Sequence, residues 1–325
     1  MNSLNKKIQM KRLIITVFIL FLTKSFSQEL NLPVFTQYLA DNPFVVSPAF
    51  AGIGDNVRVR VNGLTQWVGI KDAPQNQSLY ADMRIADRSG VGLSLYNDSN
   101  GFTKQAGAKF SFAHHIILDY YSKQYLSFGI SYNINTFRID ISNYNILDPI
   151  INTDRYISNN NFDLSLLYRI GGFYTSFNAN NILTKPIRNF RGIEPSLLLN
   201  YQLYSGYVFR NDNRVEIEPS AYFQYYQSDK RSSTDFNIKI RKYDRNDNYI
   251  WGGISYRFLN DQLLKPLQVG PMLGLKHANF YFGYSYQKTL NELSAYDNGT
   301  HVITLGFDFF QGISNCPCTQ YLSKD

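Results

Sequence analysis

The chain has 325 residues, of which 44% are hydrophobic, only 18% charged and 16% aromatic, with 25 Tyr and 24 Phe. Soluble domains carry charge on about a quarter of their residues. A mean hydropathy of −0.27 is nevertheless too polar for a bundle of membrane helices, and no apolar run reaches the roughly 18 to 20 residues that span a bilayer. The aromatic and β-branched content also excludes disorder, leaving a large β-rich globule or a protein that meets lipid without helices.

A formal charge of +7 hints at nucleic acid, but the charge is unevenly placed. Lys6, Lys7, Lys11, Arg12 and Lys24 all fall within residues 1–27, with no acid among them, so +7 less 5 leaves +2 for the rest. That segment reads as a secretory signal. A basic stretch ends at Arg12, a largely apolar run covers Leu13 to Leu22, and Ser25-Phe26-Ser27 gives a small-x-small cleavage pattern with Gln28 as the mature start. The run is too short for a membrane anchor, and no Cys follows it to mark a lipoprotein. An export address therefore explains most of the basicity, and no nucleic-acid partner is expected. Only Cys316 and Cys318 are present, too few to staple a fold of this size.

From residue 56 onward the periodicity is that of strands. In Leu126 to Asn135 and in Phe280 to Gln287, apolar or aromatic residues alternate with small or polar ones, and Ile303, Leu305, Phe307 and Phe309 alternate with Thr304, Gly306 and Asp308. Successive side chains point to opposite faces of a strand, so each segment has one apolar and one polar side. The alternation predicts fourteen strands, at 56–66, 76–85, 88–97, 103–116, 122–137, 162–170, 173–182, 196–209, 214–227, 233–243, 248–258, 266–276, 279–287 and 300–309. Most have the length a tilted strand needs to cross hydrocarbon. Even-numbered links, such as Ala86-Asp87 and Gly171-Gly172, are short. Odd-numbered ones, such as Arg138 to Asn161, Leu183 to Pro195, Leu259 to Lys265 and Lys288 to Gly299, are mostly longer.

Short and long loops thus segregate to opposite ends, as in outer-membrane barrels. A soluble propeller or sandwich need not do this. In hydrocarbon every backbone N–H and C=O must be paired within the protein, which permits a closed barrel but no open edge. Arg58, Arg60, Lys109, Asp163, Arg169, Glu216, Glu218, Arg257 and Asp308 alternate with apolar neighbours and are assigned to the inner face. Pro219 and Pro271 fall within predicted strands and speak against regular pairing there. The expected fold is an all-β, transmembrane, antiparallel outer-membrane β-barrel of about 14 strands at residues 56–309. It follows a signal peptide (1–27) and a periplasmic or lumenal leader (28–55), and precedes a periplasmic tail (310–325).

No catalytic, cofactor or metal site is read from the residues. His114 and His115 end a predicted strand, His277 falls in a predicted tight turn and His301 begins the last strand, with no spacing that suggests a catalytic pair. There is no zinc-protease motif, phosphate loop or nucleophile elbow. Gly90-Val91-Gly92 lies inside a strand, where inward glycines make room. In the leader, three prolines, Pro33, Pro43 and Pro48, break up regular structure. This segment fits either a periplasmic leader at the barrel mouth or a lumen plug, because fourteen strands enclose a space that wall side chains need not fill. For Cys316-Pro317-Cys318, a disulfide between cysteines one residue apart would be strained, and a metal site lacks further ligands nearby. A tail signature, a redox-labile thiol pair and a covalent link to a partner all remain open.

The pattern formed by Pro33, Gln37, Tyr38, Asn42, Pro43, Pro48, Ala49 and Gly52, followed by Gln66-Trp67 and Pro74 and ending in Cys316 and Cys318, resembles the PorP/SprF family of type IX secretion system membrane proteins of Bacteroidetes. Ser47 departs from the Asn more usual there. The resemblance implies an outer-membrane barrel, non-enzymatic and without cofactor, that binds and anchors a secreted surface protein or assists its export. Such cargo is of the adhesin type, in some members linked to gliding motility. Expected partners are the cargo, through extracellular loops, the secretion machinery on the periplasmic side, and outer-membrane lipid. The alternative function is a diffusion channel for small solutes.

Overall fold

In the computed structural model the chain forms a single antiparallel sheet closed on itself. Its strands are β1 (Asn56–Thr65), β2 (Gln75–Ala86), β3 (Ser89–Asn100), β4 (Thr103–Asp119), β5 (Gln124–Ile139), β6 (Arg155–Ile170), β7 (Phe173–Asn180) and β8 (Asn200–Tyr207). They continue as β9 (Phe209–Asn211), β10 (Val215–Tyr226), β11 (Ser232–Tyr243), β12 (Tyr249–Leu259), β13 (Lys265–His277), β14 (Phe280–Thr289) and β15 (Thr300–Phe310). β8 and β9 are two stretches of one stave broken at Val208, and both pair with β10. The barrel therefore has fourteen staves, as the alternation predicts. β15 pairs back to β1 from Asn56↔Phe310 to Thr65↔His301, which leaves no open edge.

The structure describes residues 37–54, 56–139, 155–183, 199–211, 213–228, 230–312 and 316–320. The expected signal peptide, the leader before residue 37 and most of the loops after β5 and β7 lie outside these residues.

Polarity across the wall is inverted relative to a soluble protein. Along β11, Asp235, Asn237, Lys239 and Arg241 are buried, whereas Phe236, Ile238 and Ile240 between them are each at least 50% exposed. β15 repeats the scheme, with Thr304 and Asp308 inward and Ile303, Leu305 and Phe309 outward. Such an exterior suits hydrocarbon, while paired charge can sit inside. Exposed Tyr121, Phe209, Phe280 and Phe309 all cluster toward the short-turn end, where aromatic rings favour the lipid–water boundary.

The structure differs from the sequence reading at three local places. β6 begins at Arg155, so Asn159 to Asn161 are strand rather than loop, and they pair with Asn135 to Asn133 of β5. Extending the ladder satisfies backbone groups, and Asn161 Oδ1 accepts the N–H groups of Phe162 and Leu183 at 2.8 Å each. His277 ends β13, and the turn itself is Ala278 and Asn279. Pro219 and Pro271 both sit in strands. At Pro271 the β13–β14 ladder skips from Val269↔Lys288 to Met272↔Ser285, which removes the need for the missing N–H.

Candidate functional site

The interior of the barrel is occupied by the leader. Residues 37–54 fold as three 3-10 turns, Gln37–Ala40, Pro43–Val45 and Pro48–Phe50, with a proline opening each of the last two. Because the wall's inner face is polar, the apolar core comes largely from this segment. Tyr38, Leu39, Phe44, Val45, Val46, Ala49, Phe50, Ala51 and Ile53 are buried together, against Tyr174, Tyr204, Tyr222, Trp251 and Met272 of the wall. Inward glycines let the leader approach. A Cβ at Gly92 would lie 2.2 Å from the Phe44 ring, one at Gly90 2.3 Å from the Ala51 carbonyl oxygen, and one at Gly129 2.5 Å from the Ala49 nitrogen. Gly52 adopts φ +76° against Gly90, a conformation and a contact that both call for glycine.

Polar anchors fix this segment at three places. The Tyr38 hydroxyl donates to Asp235 Oδ2 at 2.7 Å and accepts from Asn237 Nδ2 at 3.1 Å, while Arg257 grips the same Asp235 carboxylate with Nε and Nη2 at 2.5 Å each. Asp41 accepts from Arg241 Nε at 3.0 Å and from its Nη2, with Lys239 Nζ at 3.5 Å. Arg241 also pairs with Glu218 at 2.5 Å. Burial would raise the Asp41 pKa, but the Arg241 and Lys239 charges outweigh it and hold the carboxyl well below the usual carboxylate range. Near the short-turn end, Asp82 accepts the Gly52 N–H at 3.0 Å and pairs with Arg58 at 2.6 Å. His115 Nε2 donates to the Ala51 carbonyl at 3.0 Å, with its Nδ1 2.7 Å from Ser127 Oγ.

The tail returns into the same mouth. Cys316 and Cys318, whose state the spacing leaves open, are joined as a disulfide: the chain turns at Pro317–Thr319 and holds their Cα atoms 5.3 Å apart. Arg169 donates to the carbonyls of Cys318 and Gln320. Arg84 donates to Thr319 at 3.0 Å and Gly54 at 2.5 Å, and the Gly54 N–H donates to the Thr319 carbonyl at 2.8 Å. Leader and tail are thus bonded to each other as well as to the wall.

The motif residues separate into three groups. Tyr38, Asn42, Pro43, Pro48, Ala49 and Gly52 belong to the lumenal segment, and Cys316 and Cys318 to the short-turn mouth. Gln66, Trp67 and Pro74 lie at the opposite end, where Gln66 N–H donates to the Pro74 carbonyl and Val68 exchanges backbone bonds with Asn298 and Gly299. Pro33 and the Gln37 side chain lie outside the described residues. The sequence reading missed Asp82, Arg84, Asp235, Lys239 and Arg241 as inward wall groups. The same alternation that found Arg257 marks them. His114 pairs with Ser89 at an exposed position and His301 with Tyr284. Among the described residues no group of His, Cys, Asp and Glu is placed to hold a metal ion.

The sequence profile of the type IX secretion system membrane proteins PorP/SprF matches residues 27–307. The chain belongs to the PorP/SprF family. As a PorP/SprF protein it is a membrane component of type IX secretion, with an outer-membrane barrel fold and location. No curated protein has a matching sequence. Among solved structures, CymD, described as a monoaromatic hydrocarbon channel, aligns with a TM-score of 0.50 at 8% identity, covering 87% of this chain and 94% of its own. TodX, a channel of the same description, gives 0.48 at 10% identity over 82% and 91%. Omp33 of Acinetobacter baumannii gives 0.44 at 12% identity over 79% and 99%. These likenesses concern the fold alone.

Proposed function

We propose that this PorP/SprF protein is a plugged, non-enzymatic anchor that holds an exported protein at the cell surface. The observation that supports this reading best is the lumenal leader. Its own hydrophobic core, the Tyr38–Asp235 bond and the Asp41–Arg241 cluster tie it across the barrel, and the tail fastens it at one mouth. A channel for solutes needs a continuous water path, which such a segment obstructs. The short-turn end, carrying the disulfide turn, faces the periplasm and the secretion machinery. The long-loop end faces outward and meets cargo.

Deleting the gene should release one or a few secreted proteins from the surface into the medium, or block their export. An unchanged surface proteome would defeat the reading. In a planar bilayer the purified barrel should show no steady conductance, and removal of residues 28–54 should open it. A large, steady conductance of the intact protein would favour the solute channel instead.

A further inference from the structure

As a staple, the Cys316–Cys318 disulfide does little for the barrel. It closes a loop within a single turn and joins no two distant elements, and a loop so short removes little freedom from the unfolded chain. Its place is more informative. The turn presents three successive carbonyls: Cys318 and Gln320 to Arg169, and Thr319 to both Arg84 and the Gly54 N–H. Besides the disulfide, the turn is closed by the Thr319 N–H and hydroxyl, each 3.1 Å from the Cys316 carbonyl, and by the Gln320 N–H at 3.2 Å from the Pro317 carbonyl. One covalent bond therefore shapes the contact that ties the end of the leader to the tail.

The two cysteines differ in their surroundings. Cys318 is fully buried, whereas Cys316 is half-buried. Thiol exchange requires access to one sulfur, so an incoming thiolate meets Cys316 and displaces Cys318. The displaced residue is the one whose carbonyl Arg169 holds, next to the one held by Arg84. Neighbouring cations stabilise a thiolate, which makes Cys318 the better leaving group.

We propose that Cys316–Cys318 is a thiol-exchange site that latches the leader inside the barrel, and that its substrate is a dithiol reductant. A thiolate of the dithiol attacks Cys316 Sγ, a new S–S bond forms to it, and Cys318 leaves with the electron pair of the broken bond and takes up a proton. The second thiol of the reductant, after losing its proton, attacks the mixed disulfide and releases Cys316. The chain gains two thiols and the reductant departs as a disulfide, so two electrons and two protons have passed between them. The opened turn no longer aims its carbonyls at Arg169, Arg84 and Gly54, and the leader comes loose at this mouth.

The test treats the purified full-length barrel in detergent with dithiothreitol and follows cleavage of the leader by chymotrypsin at Tyr38 and Phe50. Heat-modifiable migration on gels confirms that the barrel stays folded. Reduction should speed cleavage about tenfold, the scale of losing a buried hydrogen bond to a charged group, and reoxidation should reverse it. Cys316→Ser should show the fast rate with or without reductant; if that variant misfolds, reduction of the wild type carries the same expectation. Brief exposure to glutathione followed by alkylation should place glutathione on Cys316 and the alkyl group on Cys318, read by mass spectrometry of the tail peptide. A reduced, folded barrel whose leader is cleaved at the oxidised rate overturns the latch. Glutathione on Cys318, or a disulfide that resists dithiothreitol until the barrel unfolds, overturns the exchange site.

Discussion

The Tyr38 hydroxyl reaches Asp235 across 197 residues of sequence at 2.7 Å, and Asp235 is the carboxylate that Arg257 grips from β12. A leader side chain thereby completes the hydrogen bonding of a wall ion pair. Replacing Tyr38 by Phe keeps the ring packing against Tyr204 and Tyr222 but removes the donor, at a cost of about 1 kcal/mol. The barrel should fold normally, and single-channel records should show brief openings that the wild type lacks.

Arg241 is the larger investment of charge. Asp41 and Glu218 both rely on it, and removing one partner of a buried cluster costs about 3–5 kcal/mol. Arg241→Ala should lower the temperature at which the purified barrel loses its folded gel mobility and should open the pore. Lys at this position should restore part of the effect, since it supplies charge without the two-pronged geometry.

Acid is expected to have little effect over the ordinary range. The Asp41 carboxyl has a folded pKa depressed by Arg241 and Lys239, so its contribution to stability is complete above the unfolded carboxylate value and fades only as pH falls below it, through the folded one. Conductance should stay closed from pH 7 down to about pH 5. Asp41→Asn should leak at pH 7. Opening of the wild-type barrel at pH 6 would contradict this assignment.

At Gly90 the three atoms nearest to an added Cβ all belong to Ala51 and Gly52 of the leader, at 2.3 to 2.7 Å. Gly90→Leu should therefore leave the barrel intact and displace the plug, making the leader sensitive to added protease in detergent. A variant that fails to form the barrel would show that Gly90 serves the wall instead.

Much of this architecture is legible from alternation alone. Phe236, Ile238 and Ile240 outward require Asp235, Asn237, Lys239 and Arg241 inward, and that logic gives the stave number and the wall chemistry. It cannot give partners for those charges, since Asp41 comes from a segment with no periodicity. The prolines at 43 and 48 announce that the leader is irregular but not where it goes. The Cys316–Cys318 bond was hidden for a similar reason: spacing suggests constraint, whereas the carbonyls that Arg84 and Arg169 hold belong to a turn that only the folded mouth defines. The early start of β6 was masked by three asparagines, which read as loop until an inward polar face is recognised as the normal one.

The bond between Gly54 and Thr319 lies just inside the seam where β1 meets β15, and it dictates an order of assembly. The leader is made first, yet its resting place exists only once the last stave has arrived and the tail has been drawn in. Until the barrel closes, the apolar residues from Tyr38 to Ile53 lack the wall residues that bury them in the folded protein, and exposed apolar surface of that kind is what chaperones cover.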